Sequence, residues 1–188
     1  MIAIINYGVG NLFSLESSFN AIGQEVKVTS DPEDLKKSER IILPGVGAFE
    51  DAAKKLKSSG LAEPLLDEAK KGKPVLGICL GMQLLFSKSF EFGEHDGLNL
   101  IPGSVRYIGE VIPKELKIPQ IGWNALKFGT HNESSIIKNE GEYVYFVHSY
   151  FGADCDDSVT SYTDYGIKMC ASVQKDNVFG CQFHPDKS

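Results

Sequence analysis

The sequence predicts an α/β fold: a central, mostly parallel sheet flanked by helices, with an additional antiparallel or mixed β layer in the second half. In the first half, short apolar runs alternate with segments of helical periodicity, which is typical of a parallel sheet covered on both faces. In the second half, strand-like segments follow one another with turn residues between them. No linker, internal repeat or low-complexity segment interrupts the 188 residues, so we predict a single domain over residues 1–188.

The elements of the first half are assigned from periodicity and end signals. Leu12, Leu15, Phe19 and Ile22 recur at steps of three and four residues, which predicts one face of a helix that ends at Gly23. Short apolar or alternating runs predict the strands. The predicted strands are MIAIIN, EVKVT, RIILPG and PVLGI, and the predicted helices are GNLFSLESSFNAIG, DPEDLKKS, AFEDAAKKLKSSG, LAEPLLDEAKKG and LGMQLLFS.

The second half is dominated by β-branched and aromatic residues in short segments bounded by turn residues. Such a series of strands without intervening helices predicts an antiparallel or mixed arrangement. The predicted strand segments are GSVRYI, GWNALKF, EYVYFVHSYFG, SVTSYTDYG, IKMCASVQK and NVFGCQFHP.

Charge and composition exclude several classes of function. The net charge is −6 and no basic cluster stands out, which argues against a nucleic-acid partner. No apolar run approaches the roughly 20 residues of a membrane-spanning helix, and the first residues have no signal-peptide pattern. We therefore expect a cytoplasmic protein without disulfides. No metal or cofactor is expected, because none of the four cysteines forms a CxxC pair or a Cys/His cluster: Cys79, Cys155, Cys170 and Cys181.

One cysteine stands where a predicted strand meets a predicted helix. Gly77 and Gly81 flank Cys79 at two residues on either side, which is the thiol form of the nucleophile elbow G-x-S-x-G. Such a turn exposes the nucleophile and holds it rigidly. We expect the following helix N-terminus to favour the thiolate, to lower the thiol pKa and to offer oxyanion donors. The alternative is that Cys79 is a small buried apolar residue.

A base for this thiol is offered near the last predicted strand. Asp186 follows His184 by two residues, and side chains at this spacing on an extended segment point to the same side. The acid can then orient one imidazole nitrogen while the other accepts the thiol proton. His148 has no acid at this spacing and ranks behind His184. A solvated surface histidine is the alternative for His184.

A glycine-rich segment follows the third predicted strand and offers an oxyanion donor. Gly45 and Gly47 flank Val46, and a glycine-flanked peptide can turn its N–H into a cleft at little steric cost. The carboxyl ends of neighbouring parallel strands line one crevice, so this segment and Cys79 are expected to meet there. An ordinary strand-to-helix loop would use the same glycines.

Taken together, these segments resemble class I, triad-type glutamine amidotransferases, which have a flavodoxin-like fold. Within that class the sequence is similar to the glutaminase subunits of imidazole glycerol phosphate synthases. The resemblance runs through nearly the whole chain. The matching segments are NYGVGNL, LPGVGAF, GICLGMQLLF, EFGEHDGLNLIPGSV, PQIGWN, YFVHSY and QFHPDKS.

The resemblance implies a role for each site residue. Cys79 attacks the side-chain amide of glutamine, His184 relays the proton to leaving ammonia, and water hydrolyses the thioester to glutamate. The N–H groups of Val46 and Leu80 form the oxyanion hole. The residues implied to hold the glutamine are Gly45, Gly47, Gln83, Glu91, Ser149 and Tyr150.

The resemblance also implies a partner and a pathway. Ammonia passes to a (β/α)8-barrel cyclase subunit in a heterodimer, which makes imidazole glycerol phosphate and AICAR in histidine biosynthesis. The glutaminase is nearly silent until the partner binds its nucleotide. The residues implied at the interface are Asn11, Trp123, Asn124 and Tyr145, although a core position is the alternative for Trp123.

Two departures from the family pattern bear on activity. The family usually has glutamate where Asp186 stands, so we expect a weaker orienting role for the shorter acid. The family continues past this motif with a leucine-rich helix that is apparently absent from a sequence ending at Ser188, and we expect His184 to be less rigidly held. Three alternatives remain: a glutaminase paired with another barrel synthase for surface-sugar modification, a catalytically weakened regulatory or binding module, and a peptidase or esterase.

Overall fold

The computed structural model describes residues 1–131 and 136–188, and its elements follow the predicted order closely. The strands are β1 (Ile2–Ile5), β2 (Val26–Thr29), β3 (Arg40–Leu43), β4 (Val75–Ile78), β5 (Phe86–Ser89), β6 (His95–Asp96), β7 (Ile101–Tyr107), β8 (Gln120–Ala125), β9 (Lys127–Phe128), β10 (Tyr143–His148), β11 (Tyr150–Ala153), β12 (Val159–Asp164), β13 (Lys168–Lys175) and β14 (Val178–Cys181). The helices are α1 (Leu12–Ala21), α2 (Pro32–Lys37), α3 (Phe49–Ser58), α4 (Ala62–Lys70) and α5 (Leu80–Leu85).

The main sheet has the strand order β2-β1-β3-β4-β14-β13-β12-β9. From β2 to β14 each neighbouring pair is parallel, and the pairs from β14 to β9 are antiparallel. The predicted parallel sheet is therefore confirmed. The last strand inserts beside β4, with Cys181 paired to Ile78, so the chain leaves β14 next to the thiol of Cys79.

Two smaller sheets account for the additional β structure of the second half. Strands β8 and β10 form an antiparallel pair, and β11-β7-β5-β6 form a mixed sheet of four strands. The prediction placed this structure in a separate layer. Strands β9, β12, β13 and β14 instead extend the main sheet, because β14 continues the parallel ladder of β4 and the others follow it edge to edge.

Helix α5 is shorter than the sequence predicts, because it ends at Leu85 and β5 begins at Phe86. The carbonyls of Leu84 and Leu85 accept N–H groups from the loop before β7, those of Leu98 and Leu100. A helix cannot continue where its last carbonyls are held by another segment. The helical periodicity of the sequence does not contain this long-range contact.

Apolar residues pack on both faces of the main sheet, as a parallel sheet requires. One cluster includes Phe49 of α3, Leu65 of α4 and Leu85 of α5. The other includes Leu15 of α1 and Phe146 of β10. No helix in the described ranges 1–131 and 136–188 is long and apolar enough to cross a membrane.

Candidate active site

The turn between β4 and α5 holds Cys79 in a strained backbone conformation. Its φ is +55° and its ψ is −113°, a region that non-glycine residues rarely adopt. A Cβ on Gly81 would lie 1.9 Å from the carbonyl oxygen of Leu43, and a Cβ on Gly77 would lie 2.6 Å from the carbonyl oxygen of Gly81. Glycine is required at both positions, because any side chain there would collide with backbone atoms.

The glycine-rich segment after β3 lies against this elbow. A Cβ on Gly45 would lie 2.7 Å from the backbone nitrogen of Gly81, so this loop and the elbow are in direct contact. The Tyr7 hydroxyl donates to the Pro44 carbonyl at 2.6 Å and fixes the start of the loop. Gly47 has a φ of +94°, which a glycine adopts at low cost.

A cavity of about 740 Å³ opens above the elbow. It contains most of the predicted catalytic and substrate-binding residues: Val46, Gly47, Cys79, Leu80, Gln83, Glu91, Ser149, Tyr150 and His184. Gly45 and Asp186 are not among the lining residues, but Gly45 lies against Leu80 and Gly81, and Asp186 lies 3.6 Å from His184. The sequence analysis considered one further lining residue, His148, as a base that ranks behind His184, and it did not single out the others as part of this site: Phe92, Tyr107, Pro119 and Val147.

The thiol of Cys79 is buried and has two nearby donors. The Leu80 N–H donates to it, and Gln182 Nε2 lies 3.8 Å from Sγ. Burial nevertheless raises the pKa of Cys79 to about 11. The expectation of a lowered pKa was therefore wrong, because desolvation of the thiolate outweighs the donors at the start of a six-residue helix. The sequence analysis also missed Gln182 as a neighbour of the thiol. The signal was available, because Gln182 precedes His184 by two residues, and the same spacing identified Asp186 on the other side of His184.

Alkylation of Cys79 by iodoacetamide in the isolated chain is expected to be slow at neutral pH. With a pKa of about 11, roughly 10⁻⁴ of the thiol is ionised at pH 7. The rate at Cys79 should therefore rise about tenfold per pH unit from pH 7 to 10, as followed by peptide mass spectrometry. Cys79→Ala is the control for labelling at the other cysteines. A rate that levels off near pH 7 contradicts the raised pKa.

His184 and Asp186 lie together at the end of β14, in a chain turn fixed by backbone contacts. Nδ1 of His184 is 3.6 Å from Oδ1 of Asp186, which exceeds hydrogen-bond distance for these atoms. Burial lowers the pKa of His184 and the nearby Asp186 carboxylate raises it, with a net lowering. The His184 N–H donates to the Tyr145 carbonyl, and the Ser188 hydroxyl donates to the His184 carbonyl at 2.7 Å.

Lengthening the acid by one methylene is expected to raise glutaminase activity. In Asp186→Glu the carboxylate can approach Nδ1 of His184 to hydrogen-bond distance, and a bond of ordinary strength is worth roughly fivefold in rate. A closer carboxylate also stabilises the imidazolium, so the acid limb of the pH–rate profile should move to higher pH. The matched variant Asp186→Asn should lose activity and move that limb to lower pH. If Asp186→Glu leaves both rate and profile unchanged, the acid does not orient His184.

Two of the residues expected to hold the substrate are themselves fixed by the protein. Gln83 Nε2 donates to the Tyr150 carbonyl at 2.9 Å and to Gln182 Oε1 at 3.0 Å. Glu91 Oε2 accepts the N–H of Phe49 at 2.6 Å, at the start of α3. These contacts hold both side chains rigidly at the cavity wall, and their part in binding glutamine stays a prediction.

The four predicted interface residues occupy three different positions. Trp123 and Tyr145 pack edge to face at 5.9 Å on the outer face of β8 and β10, and Trp123 is 53% exposed, which excludes a core position. Asn124 lies on the inner face and accepts a hydrogen bond from Gln120. Asn11 caps α1 through Ser14 N–H. Whether these residues contact a partner stays a prediction.

Comparison with known proteins identifies the family. The model of the family described as glutamine amidotransferase class-I matches residues 3–188. The imidazole glycerol phosphate synthase subunit HisH of Caldanaerobacter subterraneus subsp. tengcongensis is 49% identical over the whole chain and 91% of its own length. The HisH subunit of Methanothermobacter thermautotrophicus is 48% identical, with the same coverage. The chain belongs to the class-I glutamine amidotransferases, among the HisH subunits.

Solved structures agree on the fold of this amidotransferase. A crystal structure of a glutamine amidotransferase superposes with a TM-score of 0.77 at 15% identity, over 99% of this chain and 91% of that one. The structure of PurLQS from Thermotoga maritima gives a TM-score of 0.72 at 19% identity, over 98% and 87% of the two chains. At these identities the likeness concerns the fold alone, and it confirms the predicted class I amidotransferase fold.

Proposed function

We propose that this chain is the glutaminase subunit of an imidazole glycerol phosphate synthase, in which residues 1–188 act as one amidotransferase domain. It hydrolyses glutamine to glutamate and ammonia and supplies the ammonia to a (β/α)8-barrel cyclase subunit in histidine biosynthesis. One observation carries the proposal: a single cavity contains the strained thiol of Cys79, the imidazole of His184 and the glycine-flanked peptide at Val46. A class-I amidotransferase requires these three groups together.

The reaction begins with the neutral thiol and the neutral imidazole. Sγ of Cys79 attacks the side-chain carbonyl carbon of glutamine while His184 accepts the thiol proton. The N–H groups of Leu80 and Val46 stabilise the oxyanion. The C–N bond then breaks, His184 returns the proton to the leaving nitrogen, and ammonia departs. Water hydrolyses the thioester with His184 as the base, which gives glutamate and restores the thiol.

The electrostatics of the isolated chain favour a low resting activity. Burial raises the pKa of Cys79 to about 11 and lowers the pKa of His184, so proton transfer from thiol to imidazole is uphill. The backbone of Tyr145 contacts the backbone of His184, and its ring is on the outer face with Trp123. A partner that docks on this face contacts Tyr145, whose carbonyl accepts the backbone N–H of His184, so docking can shift the catalytic histidine through this one hydrogen bond. This arrangement limits wasteful hydrolysis of glutamine in the cytoplasm, where we expect the complex to act.

The proposed partner surface is the outer face of β8 and β10. The side chains of Ile121, Trp123 and Tyr143 are 59%, 53% and 65% exposed there. Large aromatic side chains are frequent anchors of protein interfaces. Such an exposed apolar strip beside the active site suits the docking of a subunit that receives the ammonia.

Glutamate release from glutamine tests the proposal. The chain is assayed alone, with the histidine-pathway cyclase, and with the cyclase and its nucleotide ligand. We expect strong release only in the third condition, together with cyclase product. Failure to bind this cyclase, with tight binding to another barrel synthase, would assign the chain to a different pathway. No release in any condition would contradict the glutaminase function.

A further inference from the structure

The loop between β1 and α1 contains a buried tyrosine, Tyr7, whose side chain is 5% exposed. Tyr7 belongs to the apolar cluster that also includes Leu43, Phe49 and Leu80. Leu43 and Phe49 stand on either side of the glycine-rich segment, and Leu80 begins α5 directly after the thiol. A buried hydroxyl requires a hydrogen-bond partner, and that of Tyr7 donates to the carbonyl of Pro44 at 2.6 Å.

The Tyr7 hydroxyl keeps its proton throughout the neutral pH range. Burial raises the pKa of Tyr7, and the nearby Cys79 raises it further when its thiol is ionised. The proton is directed at the Pro44 carbonyl, which can only accept a hydrogen bond. These properties argue against Tyr7 as an acid or base for the thiol, and they make the hydroxyl a permanent donor to Pro44.

The same loop contacts Pro44 a second time, through the backbone of Gly10. A Cβ on Gly10 would lie 3.0 Å from Cβ and 3.2 Å from Cγ of Pro44. The phenol of Tyr7 therefore holds the carbonyl of Pro44 while the Gly10 backbone lies against its ring. Pro44 is the first residue after β3, so the loop between β1 and α1 fixes the start of the glycine-rich segment.

The fixed carbonyl of Pro44 lies one peptide before the expected oxyanion donor. The Pro44–Gly45 peptide is trans, so its N–H points away from the carbonyl that Tyr7 holds. The α-carbon of Gly45 is confined on its other side, because a Cβ there would lie 2.7 Å from the backbone nitrogen of Gly81. Two rotations, φ and ψ of Gly45, separate this fixed peptide from the one that bears the Val46 N–H.

We propose that Tyr7 is a positioning residue for the oxyanion hole: its hydroxyl holds the Pro44 carbonyl and thereby aims the Val46 N–H at the oxygen that becomes negative. This inference rests on the proposed function. When Sγ of Cys79 bonds to the amide carbon, the π electrons of the C=O bond move to oxygen, and His184 takes the thiol proton. A donor aimed at this oxygen lowers the barrier more than it tightens substrate binding.

Tyr7→Phe keeps the ring and removes only the hydroxyl. Glutamate release is measured in the complex with the cyclase and its nucleotide. We expect kcat to fall about tenfold, because one hydrogen bond of ordinary strength no longer holds the donor in place. The fall should be smaller than the loss of about 10²–10³-fold that follows complete removal of an oxyanion donor. The KM for glutamine should stay within about twofold, because the interaction is made in the transition state.

Alkylation of Cys79 by iodoacetamide distinguishes a misdirected donor from general damage to the site. This reaction displaces iodide at a saturated carbon and forms no oxyanion, so it does not require the Val46 N–H. The alkylation rate in Tyr7→Phe should therefore stay within about twofold of that in the unmodified chain while kcat falls. Tyr165→Phe is the control, because it removes a phenol that donates to the Lys117 carbonyl at 2.8 Å in the turn between β12 and β13. Its kcat should not change.

Gly10→Ala disturbs Pro44 from its other side and gives an answer if Tyr7→Phe fails to fold. The added methyl group meets the Pro44 ring, so kcat should fall while the alkylation rate of Cys79 is kept. The matched control is Gly8→Ala, because Gly8 also has a positive φ, +89°, but nothing lies within 4 Å of its ideal Cβ position. Its kcat should stay close to that of the unmodified chain.

Three results would overturn the positioning role of Tyr7. One is a kcat that is unchanged in Tyr7→Phe, or in Gly10→Ala where only that variant folds. Another is a raised KM with unchanged kcat, which assigns the hydroxyl to the shape of the substrate site. The third is an equal fall in hydrolysis and in alkylation of Cys79, which assigns it to the fold. An unmodified complex that releases no glutamate contradicts the proposed function itself, which separates the two failures.

Discussion

Replacement of Cys79 by alanine is expected to lower glutamate release in the complex by at least about 10³-fold. The thiol is the only proposed nucleophile, and it stands on a strained turn at the wall of the cavity. Without it no thioester forms, and water alone must attack the amide. The measurement is steady-state glutamate production with the cyclase and its nucleotide, with the free-ammonia-driven cyclase reaction as a check that the complex still assembles.

The matched control for this variant is Cys155→Ala. Cys155 is also buried, but it lies away from the active-site cavity. Its replacement should change glutamate release by less than about twofold, because it removes no reacting group. Activity in Cys79→Ala within tenfold of the unmodified chain would mean that another group performs the attack, and the elbow would then be a structural feature only.

Replacement of Gly81 by alanine is expected to have the largest effect on stability. The new methyl carbon would lie 1.9 Å from the carbonyl oxygen of Leu43 and 2.8 Å from its carbon, both backbone atoms of a central strand. Neither side can yield without separating the elbow from β3. We expect a loss of about 3 kcal/mol or more in the free energy of unfolding, or failure to fold, as measured by urea denaturation.

Gly60→Ala is the control for replacing a glycine where no steric clash follows, although it carries a backbone penalty for positive φ that Gly81 does not have. Gly60 has a φ of +75° and nothing within 4 Å of its ideal Cβ position, so only the backbone penalty applies. That penalty is about 1 kcal/mol. Equal losses for Gly60→Ala and Gly81→Ala would contradict the close approach of elbow and strand.

Local patterns were enough to predict most of the fold. The alternation of apolar runs and helical periodicity predicted β1 to β4 and α1 to α5, because each of these elements is set largely by its own sequence, but it did not predict β5, whose first residues were assigned to the preceding helix. The end of α5 was not predictable, since loop N–H groups far along the chain hold the carbonyls of Leu84 and Leu85. The place of β14 in the main sheet was missed for the same reason: sheet order depends on long-range pairing.

For the candidate site, too, the features set by local sequence were predictable, and those that depend on the complete fold were not. The spacing around Cys79 and His184 was visible because it reflects local turns and strand alternation. The direction in which the pKa of Cys79 shifts was not visible in the sequence. Burial depends on the complete fold, and it outweighs the effect of the helix N-terminus that follows the thiol.

The most direct test of the central claim is the mass of the chain after exposure to 6-diazo-5-oxo-norleucine, a glutamine mimic that alkylates an attacking thiol. The complex with the cyclase and its nucleotide is treated and then digested for peptide mapping. The account predicts one adduct per chain, on the Cys79 peptide, formed faster in the complex than in the chain alone and blocked by excess glutamine. An unmodified Cys79, or an adduct elsewhere that glutamine does not block, would contradict it.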